Sequence, residues 1–496
     1  MTKKVTGKTA RMISKSRFLA ASQCLKRFYL AVFSPELGVV DSTTKSTFET
    51  GHRIGELARE LFLPGHLIEA GPLEGDRAEA ETKILLSSEG VTNIYEATFQ
   101  YNGLHVRVDI LKKNLDGTVS IYEVKSASSV KPHFILDAAF QYYVLVGLGW
   151  RVSSVNLVII NNDYVYRGGS YDLDRLFRIE PITSECVAKQ DSIRDSAEEV
   201  KTAMLRPEPE IATGRHCSTP YRCEFRKYCS PKTEYPVSIL PNMTNALERE
   251  LTKLGIIDLR DIPADKVRLT PKQEFILEAT RSGKPYCSPL VSETLKRLRF
   301  PLYFLDFESI NPALPIYLET RPYEVIAVQW SVHRLDVDGT LLHFEFLAGD
   351  NDDPRSELAS QLVDTLGSDG AILTYSSFEM TRLQDLQRLV PEHHGKLENI
   401  KNRIFDLLPL VREHFYHPSM KGSYSIKELI GALKIGSGYH GLAIDRGFAA
   451  AQAFNCLLDP SVADSEKANI RLQLLAYCKR DTEVMVDLYS YFTSTK

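Results

Sequence analysis

The sequence predicts an α/β protein built from at least two different domains. Three observations carry that expectation. At 496 residues the chain exceeds what one hydrophobic core ordinarily organises. Each half alternates turn-punctuated runs of β-branched and aromatic residues with amphipathic helical stretches, the pattern of mixed layers rather than of a helical bundle. The halves share no internal repeat, so they are expected to be unrelated in fold.

The elements follow in order. Ile13 to Leu30, "ISKSRFLAASQCLKRFYL", reads as a helix that Ser14 would cap, with Phe18, Ala21, Leu25, Phe28 and Tyr29 on its apolar face. Residues 48–63 make a second helix candidate, in which Gly51 and Gly55 would permit close backbone approach. Strands are expected over Thr92–Gln100, Leu104–Lys112 and Thr118–Val124, with turns at Asn102-Gly103 and Asp116-Gly117. "FILDAAFQYYVLVGLG" reads as the next helix and "VNLVIINNDYVYRG" as a strand turning near Asn161–Asp163, before a charged helix over about 185–205. Pro207, Pro209 and Pro220 then interrupt a cysteine-rich section, and 251–285 suggests short helices joined by Gly- and Pro-containing turns.

At Leu302 the pattern changes to long β runs: "LYFLDFES", "YEVIAVQWSVHRL" and "LLHFEFLAG", with Asp338-Gly339 turning the chain between the last two. A helix over 353–366, the strand "AILTYSS", a helix from Phe378, helices over about 397–415 and 425–433, and a long helical end complete the reading. The implied organisation is an N-terminal domain over 1–232, a helical linker or helix-hairpin-like module over 233–297, and a C-terminal domain over 298–496. In the middle module Lys253 would face phosphate while Leu251, Leu254, Ile256 and Ile257 pack.

Composition excludes little. Lys plus Arg number 60 against 64 Asp plus Glu, a net charge of −4, so nucleic acid as a partner would need a local basic surface. The basic opening stretch, "TKKVTGKTARMISKSRFL", has no apolar signal-peptide core, and runs such as "YYVLVGLGW" are too short to span a bilayer; no membrane attachment and a cytoplasmic location are expected. Eight cysteines are too sparse for a disulfide framework.

Chemistry concentrates in three places. On the strand "LYFLDFESI", Asp306 and Glu308 stand two apart and share a face, where like charges among apolar neighbours call for a cation or for exposure. Glu379 opens a helix directly after a strand, and Tyr477 and Asp481 lie four apart on one helical face. Four such carboxylates suit Mg²⁺ or Mn²⁺ and phosphoryl chemistry, with Tyr477 positioning the attacking water. Asp406 in "RIFDLLPL" is a supporting or substrate-site residue or a helix cap. Lys421, Ser423 and Ser425 form a phosphate-facing loop or a plain turn before a helix. In the N-terminal half, Asp109 would face Glu123 across neighbouring strands, with Lys125 on the Glu123 face; the pattern suits metal-assisted phosphate chemistry or a neutralised amphipathic strand. Gln141 is a substrate- or ligand-orienting residue or a helix-surface hydrogen bonder, and His52 and Glu56 stand in the preceding helix. Finally, Cys217, Cys223 and Cys229 recur at equal intervals, and Cys24 offers a distant fourth thiolate; four thiolates suit either a [4Fe–4S] cluster or Zn²⁺, with His216 in reserve. The other cysteines, Cys186, Cys287, Cys456 and Cys478, read as buried apolar residues.

These motifs carry a resemblance. "LDFES", "YSSFE" and "YCKRD" resemble the catalytic segments of DEDD-type exonucleases with an RNase H-like fold, and Tyr477 matches the tyrosine branch; Glu379 stands where that family usually has Asp. Asp109, Glu123 and Lys125 in their strand–turn–strand setting resemble the PD-(D/E)xK core of restriction-endonuclease-like nucleases of the Cas4/RecB branch. The one-upstream, three-downstream cysteine layout looks like the structural iron–sulfur clasp of Cas4- and AddB-type nucleases. Together the order is similar to a bacterial family, DUF2779-like, that joins such a nuclease domain and Fe–S cluster to a DEDD-type domain. The resemblance implies a metal-dependent nuclease acting on nucleic acid, DNA before RNA, with end processing in the 3′-to-5′ direction. The alternatives are an RNA-processing exonuclease and a catalytically inactive nucleic-acid-binding scaffold that recruits repair proteins.

Overall fold

The computed structural model describes residues 12–39, 42–71, 74–230, 232–263, 265–349 and 353–494. Most of the basic opening stretch, residues 2–11, lies outside them. The α/β expectation holds: the chain divides into two compact units, Met1–Ser230 with Ala313–Glu324, and Pro231–Pro312 with Val325–Lys496, each organised on its own sheet.

The first unit is built on a seven-stranded sheet. Its strands are β1 (Ile13–Ser14), β2 (Gly65–Leu67), β3 (Asn93–Tyr101), β4 (Leu104–Lys113), β5 (Val119–Lys125), β6 (Val152–Ile160) and β7 (Phe177–Pro181). They run in the order β2-β3-β4-β5-β6-β7, and β1 pairs in parallel with the start of β4, short of the residues that β5 covers. The Asn102-Gly103 turn joins β3 to β4 with φ of 49° and 76°, a left-handed pair that an Asn-Gly dipeptide adopts at low cost. β5 and β6 are parallel, so the chain must cross over between them, and the helix Pro132–Gly147 does so. Along β4, Leu104, Val106, Val108 and Ile110 are buried on one side, while Asp109 belongs to the alternate set. The core under the helix joins Phe18, Phe28, Val106, Phe140, Val144 and Leu157, and the Phe18 and Phe140 rings stack at 4.3 Å.

The second unit contains the small ribbon β8 (Tyr286–Cys287) with β14 (Phe415–Tyr416), and a five-stranded sheet. The sheet comprises β9 (Leu302–Ile310), β10 (Ile326–Leu335), β11 (Leu341–Leu347), β12 (Ala371–Thr374) and β13 (Ile404–Asp406), in the order β11-β10-β9-β12-β13. β9, β10 and β11 are antiparallel, whereas β9, β12 and β13 run parallel. The helix Asp464–Ser494 lies against β9: Phe304 meets Tyr489 edge-on at 5.9 Å, so the Leu302–Phe304–Asp306–Glu308 side of the strand faces this helix.

Several expectations change. The helix expected over Ile13–Leu30 is two helices, Lys15–Gln23 and Leu25–Phe33, separated by Cys24 in an extended conformation. The helix expected over 397–415 is interrupted by β13, whose three residues pair with β12 and were too short a run to register as a strand. The helices Gly75–Ser87 and Gly447–Leu457 were not foreseen. Among the described residues nothing approaches within 4 Å of where a Cβ would stand on Gly51 or Gly55, so they make no close backbone contact there. The helices of the expected middle module, Asn245–Lys253, Pro271–Ser282 and Pro289–Lys296, bury Leu251, Ile276 and Leu295 in one core with Phe304 and Phe492 and group with the second unit. Leu254 and Ile257 are 45% and 55% exposed because Gly255, at φ 69°, turns the chain out at the helix end. Cys287 and Cys456 are exposed, unlike Cys186 and Cys478.

Two carboxylate centres and a cysteine pocket

In the second unit Asp306 and Glu308 project from one face of β9 and meet Asp481 from the long helix. One ligand oxygen from each lies within 4.8 Å of the others, the only such group of three among the described residues. Burial and mutual repulsion shape their protonation. Burial, then Asp481, Glu308 and Glu379, raise Asp306 well above the carboxylate range. Glu308 is pushed up to about 8 by burial and by Asp481, and Glu379 to about 7 by burial. Asp481 reaches only about 6, since hydrogen bonds from Tyr439 and Tyr477 and the Lys427 charge oppose its burial. Uncompensated like charges in a buried site are the electrostatics of a cation site, and three carboxylates at this spacing fit a divalent ion.

Glu379, in the first turn of Phe378–Leu389, stands outside the group of three but faces it electrostatically; Ser376 Oγ donates to its Oε2 at 3.0 Å. Asp406 caps the helix Leu407–His414, accepting from the Leu408 N–H at 2.9 Å, and lies near enough to raise Glu379. Tyr477 is buried beside Asp481. Ser425 caps Ile426–Leu433, and Lys421 lies over the Tyr235 ring, as befits a turn before a helix.

Two residues that the sequence reading missed complete the rim. Tyr439, on the loop that follows Ile426–Leu433, donates its hydroxyl to Asp481 Oδ1. Lys427 donates to Tyr477 Oη at 3.2 Å, and its ammonium group sits 4.3 and 4.7 Å from the Tyr439 and Tyr477 ring centroids. The loop reaches Asp481 through Gly436, which adopts φ 60° and leaves no room for a Cβ beside Asp487. Glycines flanking an aromatic residue in "GSGYHG" were the available signal. At the opposite rim Gly447 opens a helix 3.6 Å, at its Cβ position, from Glu308 Oε2. Cys478 donates weakly to Asp306 Oδ2 at 3.6 Å.

In the first unit the expected residues also converge, in a different electrostatic setting. Asp109 Oδ2 accepts from the Val124 N–H at 2.8 Å. Lys125 Nζ lies 2.6 Å from Glu123 Oε1 and 2.5 Å from Asp137 Oδ2. Gln141, fully buried rather than on the helix surface, donates to Glu123 Oε2 at 2.7 Å. Lys15, absent from the sequence reading, reaches Glu123 Oε1 at 2.6 Å and Asp137 Oδ1 at 3.5 Å. Burial would raise Glu123, but Lys125 and Lys15 together outweigh it and hold this carboxylate well below its usual range. Asp109 is pushed up to about 7 by burial and by Glu123. The helical spacing Asp137–Gln141 could have revealed Asp137; Lys15, 108 residues from Glu123, left no local signal. Both Glu123 oxygens already hold donors, so this donor set as arranged does not fit a divalent ion. His52 and Glu56 are exposed.

Cys24, Cys217, Cys223 and Cys229 line one pocket, together with His216. Burial, then contributions that include Cys217 and Cys24, raises the Cys229 thiol, while Cys217 adds to the burial that raises Cys223. The break at Cys24 places it at the pocket with the other three; no three of these sulfurs lie within 4.8 Å of one another, a spacing that suits a cluster better than a single Zn²⁺ ion.

Among the described residues no helix is long and apolar enough to cross a membrane. No curated protein matches the chain. A solved structure titled "Crystal structure of SSO0001" is similar at 16% identity over 40% of this chain and 79% of its own, with a TM-score of 0.17. Residues 303–425, which carry Asp306, Glu308, Glu379 and Asp406 but stop short of Asp481, match the family described as "Domain of unknown function (DUF2779)".

Proposed function

We propose that the chain is a metal-dependent nuclease whose working centre is Asp306, Glu308 and Asp481, acting on nucleic-acid ends, with DNA favoured over RNA and 3′-to-5′ polarity. The observation that carries this reading is the convergence of those three carboxylates, only partly compensated by Lys427, within 4.8 Å beside Tyr477. A sheet of order β11-β10-β9-β12-β13, with β10 antiparallel and the carboxylates on its central strand, supports the RNase H-like expectation. Asp306, Glu308 and Asp481 would hold Mg²⁺ or Mn²⁺, with Glu379 reaching in from its helix start. When bound, the ion supplies charge stabilisation at phosphoryl oxygens and a more acidic water. Tyr477 orients the attacking water by hydrogen bonding. Lys427, half-buried on the rim, presents its ammonium group to the phosphate. Tyr439 fixes the Asp481 carboxylate through its hydroxyl.

In the first unit, Asp109, Glu123 and Lys125 would form a second nuclease centre of PD-(D/E)xK type only once the donors on Glu123 release it. Cys24, Cys217, Cys223 and Cys229 would hold a structural [4Fe–4S] cluster, with Zn²⁺ as the alternative. The position of Glu379 outside the group of three favours one further reading, a catalytically silent scaffold that binds nucleic acid and recruits repair proteins. A time course with 5′- and 3′-labelled DNA and RNA decides among these. Metal-dependent shortening that D306A/E308A abolishes supports the working centre; binding without cleavage supports the scaffold; cleavage that survives D306A/E308A and falls with D109A/K125A moves the activity to the first unit.

A further inference from the structure

The two centres differ in how their charge is met. The second sets Asp306, Glu308, Glu379 and Asp481 against one nearby ammonium group, Lys427. The first sets Asp109, Glu123 and Asp137 against two, Lys15 and Lys125, and both lysines donate to the same oxygen, Glu123 Oε1. With Gln141 on Oε2, Glu123 has no oxygen free of a donor.

Lys15 is not a surface lysine that happens to fold inward. β1 pairs Ile13 with Leu104 and Ser14 with His105, which pins the backbone just before it. Lys15 then opens the helix Lys15–Gln23, and Phe18, one turn on, stacks against Phe140 from the helix that carries Asp137 and Gln141. A cation at a helix N-terminus opposes the helix dipole, and no acidic residue of the first turn relieves it. The relief comes from Glu123 and Asp137, whose side chains are 1% and 4% exposed.

We propose that Lys15 and Lys125 are together the resident cations of the first centre: both ammonium groups sit on Glu123 Oε1 and both reach Asp137, Lys125 at 2.5 Å and Lys15 at 3.5 Å, so that metal binds there only when both charges are removed. The consequence is a difference in metal demand between the two centres of one chain: the second is open to a divalent ion, and the first is closed to it by two tethered ammonium groups. The inference stands apart from the nuclease reading, because metal binding rather than cleavage reports it.

The test uses the full chain carrying D306N/E308Q to silence the second centre, titrated with Mn²⁺ while free Mn²⁺ is followed by electron paramagnetic resonance. The parent is expected to show no site tighter than the millimolar range. Adding K15M/K125M should create one site per chain, bound at least tenfold more tightly than by the parent, and adding E123Q to that variant should remove it. K15M alone leaves Lys125 on Glu123 and should bind like the parent. A parent that already binds Mn²⁺ through Glu123 as tightly as the K15M/K125M variant overturns the proposal, as does a K15M/K125M variant without the new site. K15R/K125R matching K15M/K125M also overturns it, because lost packing rather than lost charge would then be the cause.

Discussion

Glu308→Gln should make the metal-free protein more stable while ending its response to metal. Burial and the neighbouring Asp481 carboxylate move Glu308 from 4.5 to about 8. The folded state therefore binds the proton more tightly than the unfolded chain, and stability must fall as pH rises between those values. Below pH 4.5 the carboxyl is protonated in both states and costs nothing; above 8 it is charged in both and the cost is complete. At pH 7 the native state holds Glu308 mostly protonated while the unfolded chain has released that proton, which costs the native state about 3 kcal/mol, and water entry into the partly open site lowers the recoverable amount to about 2 kcal/mol. Glutamine keeps the shape and removes the charge. For a unit of this size the gain is about 4–8 °C in the unfolding midpoint.

Trp330 is buried in the second unit, and the chain's other tryptophan, Trp150, lies in the first. Trp330 fluorescence in a W150F background therefore reports the relevant unit alone. In EDTA the parent midpoint should fall between pH 5 and pH 8, and E308Q should flatten that slope. Mn²⁺ should raise the parent midpoint at pH 7.5 and leave E308Q nearly unmoved. A lower midpoint for E308Q in EDTA, or an unchanged pH slope, would refute the view that these carboxylates are held in uncompensated repulsion.

Other substitutions probe the remaining groups. Replacing Lys427 with Met removes the rim cation and should lower kcat/KM on labelled DNA by about 10–100-fold, the worth of one charge-assisted hydrogen bond. Gln141→Leu leaves Glu123 Oε2 buried without its donor and should destabilise the first unit by about 1–3 kcal/mol, read by denaturant unfolding through Trp150. Cys24→Ser or Cys223→Ser should strip iron and acid-labile sulfide from anaerobically purified protein; zinc alone in the unsubstituted protein would replace the cluster with a zinc site. His52→Ala and Glu56→Gln, both exposed, should leave cleavage rates within about twofold, as surface changes away from a site ordinarily do.

Much of the fold was legible because it rests on local rules. Asn102-Gly103 and Asp116-Gly117 marked the turns around β4, and period-two burial in "LHVRVDI" marked the strand itself. Where local pattern and tertiary context diverged, the reading failed. Three residues of β13 are strand only because β12 offers a partner on one side, and the apolar periodicity of the flanking helices concealed the interruption. The run around Cys24 keeps helical periodicity on both sides, so nothing in its spacing announced the extended residue that turns a thiol toward the cysteine pocket.

The candidate sites divide along the same line. Carboxylates on a strand two apart, or a tyrosine and an aspartate four apart on a helix, are neighbours by geometry, and the sequence displays them. What a carboxylate meets across the fold is set by packing. Glu123 and Glu308 look alike in sequence, each an acid on a strand with a second acidic position nearby. Yet one is held below the carboxylate range by two lysines, and the other is raised to about 8 by burial and a third acid. The difference lies in Lys125, already visible two residues on from Glu123, in Lys15, brought to Glu123 by a two-residue strand and an aromatic stack, and in Asp481, brought to Glu308 by the long C-terminal helix. Charge compensation is therefore the property that separates the two centres, and a motif shared by spacing alone does not establish a shared demand for metal.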